Sequence, residues 1–188
     1  MATLDEVIQF WFKDLTPEDH WKKSDALDRD IRARFAALHG ETAARTRIAL
    51  TGGDGPEVTD AEVGLAEIIV LDQFSRNMFR DTPDAFASDD LGLAIARVMV
   101  ATGLDMRLPV QQRQFIYMPY EHSEDMAVQK EAVKLFAERC DTGNAVEYAW
   151  AHYKVIEQFG RFPHRNAILG RKNTAEEEEY LARPGAGF

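Results

Sequence analysis

A single cysteine, Cys140, stands among 188 residues, so no disulfide can form within the chain. It falls in an apolar helical stripe and reads as a small buried residue, not a reactive thiol. Long apolar runs are missing. No window approaches the ~20 apolar residues needed to cross a bilayer, and Met1-Ala2-Thr3-Leu4-Asp5-Glu6 has no basic region and no apolar stretch of signal length. A cytoplasmic protein with no membrane partner is expected. Basic residues are the scarcer charge, 22 against 32 acids, for a net charge of −10. That balance opposes non-specific binding to nucleic acid, whose phosphates demand a basic face, but it does not exclude a local basic pocket. Strand signals are absent too: there is no sustained alternation, and β-branched runs are few outside helical patterns.

What is present reads as helix. The length fits one domain, residues 1–188, with a full hydrophobic core. Thr3 with Glu6 makes a capping box ahead of the apolar Val7-Ile8-Gln9-Phe10-Trp11-Phe12. Thr16-Pro17-Glu18-Asp19 opens a short turn through Trp21. Ser24 caps a longer helix whose apolar face is Leu27, Ile31, Phe35 and Leu38. The loop Thr51-Gly52-Gly53-Asp54-Gly55-Pro56 is no phosphate loop, because no strand precedes it and no Lys-Ser or Lys-Thr follows in register. Thr59 and Glu62 then read as a capping box for a helix that is apolar nearly all round, which predicts a central, buried element. A helix follows over about Leu91 to Thr102, stopped by Gly103. Another opens at Pro109 and is expected to end or kink at Pro119. Ser123 reads as the next N-cap. The last long helix carries Ala149, His152 and Ile156 inward and stops at Gly160, and Thr174 with Glu177 caps a short final one. About eight or nine helices with short connections are predicted.

Three polar stretches stand out from this background. Gln158-Phe159-Gly160-Arg161-Phe162-Pro163-His164-Arg165-Asn166 packs two arginines, a histidine and two phenylalanines around a turn. Asp72-Gln73-Phe74-Ser75-Arg76-Asn77 echoes it at the end of the buried helix. Tyr117-Met118-Pro119-Tyr120-Glu121-His122-Ser123-Glu124-Asp125 lies between them. Segments that combine large aromatics with guanidinium groups fold inward and present fixed polar groups, so the three are expected to meet at one cavity.

Together these stretches resemble the DUF924 family, mostly bacterial proteins with no established activity. The opening Val7 to Phe12, the Leu169-Gly170-Arg171 segment and the closing helix from Thr174 to Leu181 match its pattern as well, so the resemblance covers nearly the whole chain. It implies an all-α, TPR-like helical fold and supplies no activity.

The residues themselves suggest an anion site. Arg76, Arg161 and Arg165 suit bidentate recognition of a carboxylate or phosphate, with Asn77, Asn166 and His164 orienting it. The bland alternative is that the arginines, with Arg80 and Arg171, pair internally with Asp72, Glu121, Glu124 and Glu157. The best reading is therefore a helical domain that binds an anionic small molecule or an acidic peptide end through Arg76, Asn77, Glu121, His122, Glu124, Arg161, His164, Arg165 and Asn166. A second reading is a hydrolase or transferase with His122 or His164 as acid/base beside Glu124. A third is a scaffold for protein partners, which predicts an exposed apolar patch. His152, alone on an apolar stripe, reads as a core histidine. No pair among Glu121, His122, Glu124, His152 and His164 shows the Glu-x-x-His or His-x-x-x-His spacing of helical metal sites, so no metal is expected, and no particular cofactor is implied.

Overall fold

A computed structural model describes residues 2–187. Among them every regular element is helical, and no strand is present. The helices are α1 (Leu4–Gln9), α2 (Asp25–Gly52), α3 (Ala61–Ile68), α4 (Ser75–Met78), α5 (Asp89–Thr102), α6 (Val110–Glu121), α7 (Met126–Arg139), α8 (Ala145–Phe159) and α9 (Ala175–Leu181). A π-helical segment, Ile69–Phe74, joins α3 to α4 without a break. Counted as one rod, these three leave eight helices.

The rod is the centre of the molecule. Every residue from position 64 to 75 is buried, as expected for a helix apolar on all sides. α2 packs along its second half, and α3 packs against α5 and α1. Gly64 lets α5 come close: a Cβ there would lie 2.7 Å from both Met99 Sδ and Val58 Cγ1. Phe10, Trp11, Phe35 and Phe74 interlock around the rod, with Phe35 and Phe74 ring centroids 4.9 Å apart. Truncating such a buried ring costs about 3–5 kcal/mol. Helices α6, α7 and α8 pack against one another beside it.

Local signals explain most helix starts. The Thr3/Glu6 and Thr174/Glu177 capping boxes both form, and Ser24 Oγ accepts from the Leu27 amide. Two starts shift. Asp60, not Thr59, caps α3, because its carboxylate accepts from both the Glu62 and Val63 amides. Asp125, not Ser123, caps α7, accepting from Ala127 and Val128. A carboxylate meeting two amides at the positive end of a helix outcompetes a hydroxyl. Helix α6 also runs through Pro119 to Glu121 instead of ending there. Proline's fixed φ is already helical, and Tyr117 and Tyr120 on either side are held in the core.

Candidate functional site

Polar residues collect where the rod's C-terminal end meets the C-terminal end of α6, the inner face of α8 and the turn after it. They line a cleft of about 1090 Å³. Trp21, Lys22 and Lys23 are exposed and form part of its rim.

Asp72 anchors the arrangement from within the π-helical segment and is fully buried. Its Oδ1 lies 2.7 Å from His122 Nδ1 and 3.1 Å from an Arg76 nitrogen, and its Oδ2 accepts from Gln73 Nε2 at 2.6 Å. Burial opposes the charge on Asp72, but the Arg76 guanidinium, His122 and these hydrogen bonds outweigh it, holding the carboxyl well below its ordinary pKa. An ionised carboxylate only accepts, so His122 donates from Nδ1 and keeps its Nε2 lone pair. Burial and the nearby Arg76 charge push the His122 pKa down despite Asp72, which keeps the ring neutral.

Asp89, at the start of α5, ties two arginines together. Arg76 grips it with both terminal nitrogens at 2.9 and 3.1 Å, and Arg165 donates to it at 3.1 Å. The other terminal nitrogen of Arg165 donates to the His122 carbonyl at 3.1 Å. Its guanidinium sits between Phe86 and Phe162, 4.4 and 4.7 Å from their ring centroids. Arg165 is buried, and its Nε has no hydrogen-bond partner among the described residues.

Glu121 is 4% exposed, lines the cleft, and its Oε1 has no hydrogen-bond partner among the described residues. Burial and the neighbouring Asp72 charge raise its pKa well above the ordinary carboxyl value. Asp72 and Glu121 are thus two carboxyl groups driven in opposite directions. His152 and His164 line the same cleft. The His152 ring donates from Nδ1 to the Tyr148 carbonyl at 2.8 Å and lies 6.1 Å from the His122 ring. Burial, with His122 beside it, lowers the His152 pKa to about 3, and burial with Arg165 lowers that of His164 to about 4.

Six of the nine residues singled out from the sequence line the cleft: Arg76, Asn77, Glu121, His122, His164 and Arg165. Glu124, Arg161 and Asn166 do not. Arg161 grips Glu177 at 2.6 and 2.8 Å, and Arg171 grips Glu124 at 2.7 and 2.9 Å. Asn166 links the two pairs, accepting from Arg171 Nε and donating to Glu177. These residues form a brace behind the cleft that fastens α9 and the turn carrying Arg165 to the start of α7. Of the internal pairings weighed from the sequence, Asp72–Arg76 and Glu124–Arg171 form. Glu121 pairs with no arginine, and Arg80 takes Asp28 instead. The carboxylate beside the histidine is Asp72, not Glu124.

Asp89 and Phe86 carried no sequence signal, since they lie in what reads as an ordinary connector and helix start. His152 is buried as expected, yet it also faces the cleft. No group of three or more His, Cys, Asp or Glu side chains among the described residues is arranged to hold a metal ion. No helix among them is long and apolar enough to cross a membrane.

The fold and site define an all-helical protein with a large cleft, where histidine, arginine and carboxyl side chains gather beside a buried π-helical segment. The chain belongs to the DUF924 family, described as bacterial proteins of unknown function, whose model matches residues 7–185. It is similar to the solved structure of a protein of unknown function from Agrobacterium tumefaciens. The two are 35% identical, with 95% of this chain and 96% of that one covered and a TM-score of 0.84. Among curated proteins, none matches the chain in sequence.

Proposed function

We propose that the cleft binds a small organic anion, a carboxylate by preference, with Arg165 as its anchor. The observation that carries this reading is the state of Arg165: buried, clamped between two phenylalanines, and with a guanidinium nitrogen left unpartnered in a protein of net charge −10. A guanidinium held rigid before the ligand arrives loses little entropy on binding. Five cationic side chains line the cleft: Lys22, Lys23, Arg76, Arg80 and Arg165. Among the described residues the only carboxyl side chains lining it are Asp81 and Glu121, and burial disfavours the charged form of Glu121. The ionised Asp72 and Asp89 already balance Arg76 and Arg165, and Asp28 pairs with Arg80, so an incoming carboxylate would be met mainly by directed N–H donors and the rim lysines.

The test is thermal unfolding with glutarate, and with inorganic phosphate for comparison. A ligand at 100 times its Kd adds about 2.7 kcal/mol, which for a chain of this size raises Tm by about 5–10 °C. Arg165→Gln should stay folded and lose the shift. Arg161→Ala should lower the basal Tm through loss of the brace yet keep most of the shift. An unchanged shift in Arg165→Gln rejects the reading.

A further inference from the structure

Resting on the anion-binding reading of this cleft, we infer that the protein is a hydrolase: His122, oriented by Asp72, activates water against the acyl ester of a carboxylate-bearing substrate, and Glu121 protonates the departing oxygen. Three observations converge on this.

The first is the dyad. A buried, ionised aspartate 2.7 Å from a histidine Nδ1 selects the tautomer whose Nε2 lone pair is basic, and stabilises the imidazolium once a proton arrives. Here only Nδ1 is hydrogen-bonded among the described residues, and the ring lines the cleft.

The second is the neighbouring acid. Glu121 has an Oε1 without a partner, no arginine to neutralise it, and the buried Asp72 charge nearby. Two carboxyl groups whose surroundings drive their ionisation apart mark the acid and the base of a site. Helix α6 carries the acid in its last residue and the base at its C-cap.

The third is the choice of nucleophile. No serine or cysteine among the described residues lines the cleft, the hydroxyl of its one lining threonine, Thr142, lies 3.9 Å from Cys140 Sγ, and the two lysines belong to the exposed rim. Ser123, beside His122, accepts from the Asp125 amide through its Oγ in the loop before α7. The base therefore acts on water.

The chemistry balances without further reagents. The His122 Nε2 lone pair takes a proton from water as the water oxygen bonds to the acyl carbon, and the carbonyl pair moves onto its oxygen. When the carbonyl re-forms, the bond to the leaving oxygen breaks, and that oxygen takes the proton of Glu121. The imidazolium proton then returns to the Glu121 carboxylate through a solvent water. One ester and one water become one acid and one alcohol. Arg165 holds the substrate's separate carboxylate.

The test uses the full chain and the monoethyl ester of glutaric acid, whose basic leaving oxygen needs a proton, with neutral ethyl butyrate as control and acid release followed at constant pH. The wild-type protein should hydrolyse the anionic ester with a bell-shaped pH profile and prefer it over the neutral one. His122→Gln and Asp72→Asn should lower kcat by about 100-fold or more with little change in KM, while Arg165→Gln should act mainly on KM. Glu121→Gln, close to isosteric with the protonated acid, should lower kcat and remove the alkaline limb of the profile. It keeps the proposal open to refutation if the dyad variants fail to fold. Equal turnover in wild type, His122→Gln and Glu121→Gln overturns it. Stabilisation by glutarate without ester hydrolysis also overturns the catalytic role and leaves the binding reading intact. Neither stabilisation nor hydrolysis rejects both.

Discussion

Burial works against the charged form of Glu121, His152 and His164, and each makes stability depend on pH in a defined direction. His152 and His164 have folded-state pKa values near 3 and 4 against an ordinary 6.5. Below pH 6.5 the unfolded chain takes up protons that the folded chain refuses, so stability falls as pH drops towards 4. At pH 5 the loss is of order 1–2 kcal/mol per histidine, and urea unfolding midpoints at pH 7 and pH 5 measure it. His152→Phe, which keeps the apolar packing, should flatten that limb; a midpoint difference identical to wild type would refute the assignment. Glu121 has the opposite shift. Its folded pKa is raised, so its contribution is full below the ordinary carboxyl pKa of 4.5 and is lost as pH rises. Glu121→Gln should therefore raise the unfolding midpoint at pH 8 above that of wild type, while harming any chemistry that needs its proton.

At the scale of elements, the π-helical segment and the brace do most to shape the site. The wide turn over Ile69–Phe74 disturbs the ordinary carbonyl ladder, and side chains compensate: Ser75 Oγ donates to the Leu71 carbonyl at 2.6 Å and Arg76 to the Asp72 carbonyl at 2.7 Å. Such segments concentrate at functional sites because they re-aim side chains that a regular helix would stack. The brace is a separate unit. Glu177 accepts from Arg161, from Asn166 and from the Thr174 amide, and these partners hold its pKa at about 2. Glu177→Ala should loosen residues 161–181 without unfolding the rod, so glutarate binding weakens while the far-UV spectrum changes little. Full loss of helical signal would show that the brace cannot be separated from the core. The approach of α5 to the rod is a further element-scale constraint. Gly64→Val should destabilise by about 1–3 kcal/mol, since the added carbons meet Val58 and Met99.

The whole molecule has two apolar clusters of unequal size. The larger surrounds the rod and draws in the inward faces of α1, α2, α5, α6 and α7. The smaller joins Val155, Ile156 and Phe162 with Phe159 and Tyr180, on the side of the brace. Native-state hydrogen exchange should show the slowest amides over residues 64–75 and an earlier opening of residues 161–181. Uniform protection across both would mean that the cleft wall is as firmly built as the core. The all-helical class, most helix starts and stops, the centrality of the rod, and the convergence of three polar stretches were all readable from residue order. Those features depend on neighbours within a turn or two, on periodicity, and on the improbability of arginine beside phenylalanine in a plain core. Residue order left undecided which arginine faces the cleft and which is tied away, that Asp72 is the partner of His122, and that Asp89 joins Arg76 to Arg165. These are choices among several acids and bases of similar type, and only the packing of helix ends sets which pairs come within 3 Å.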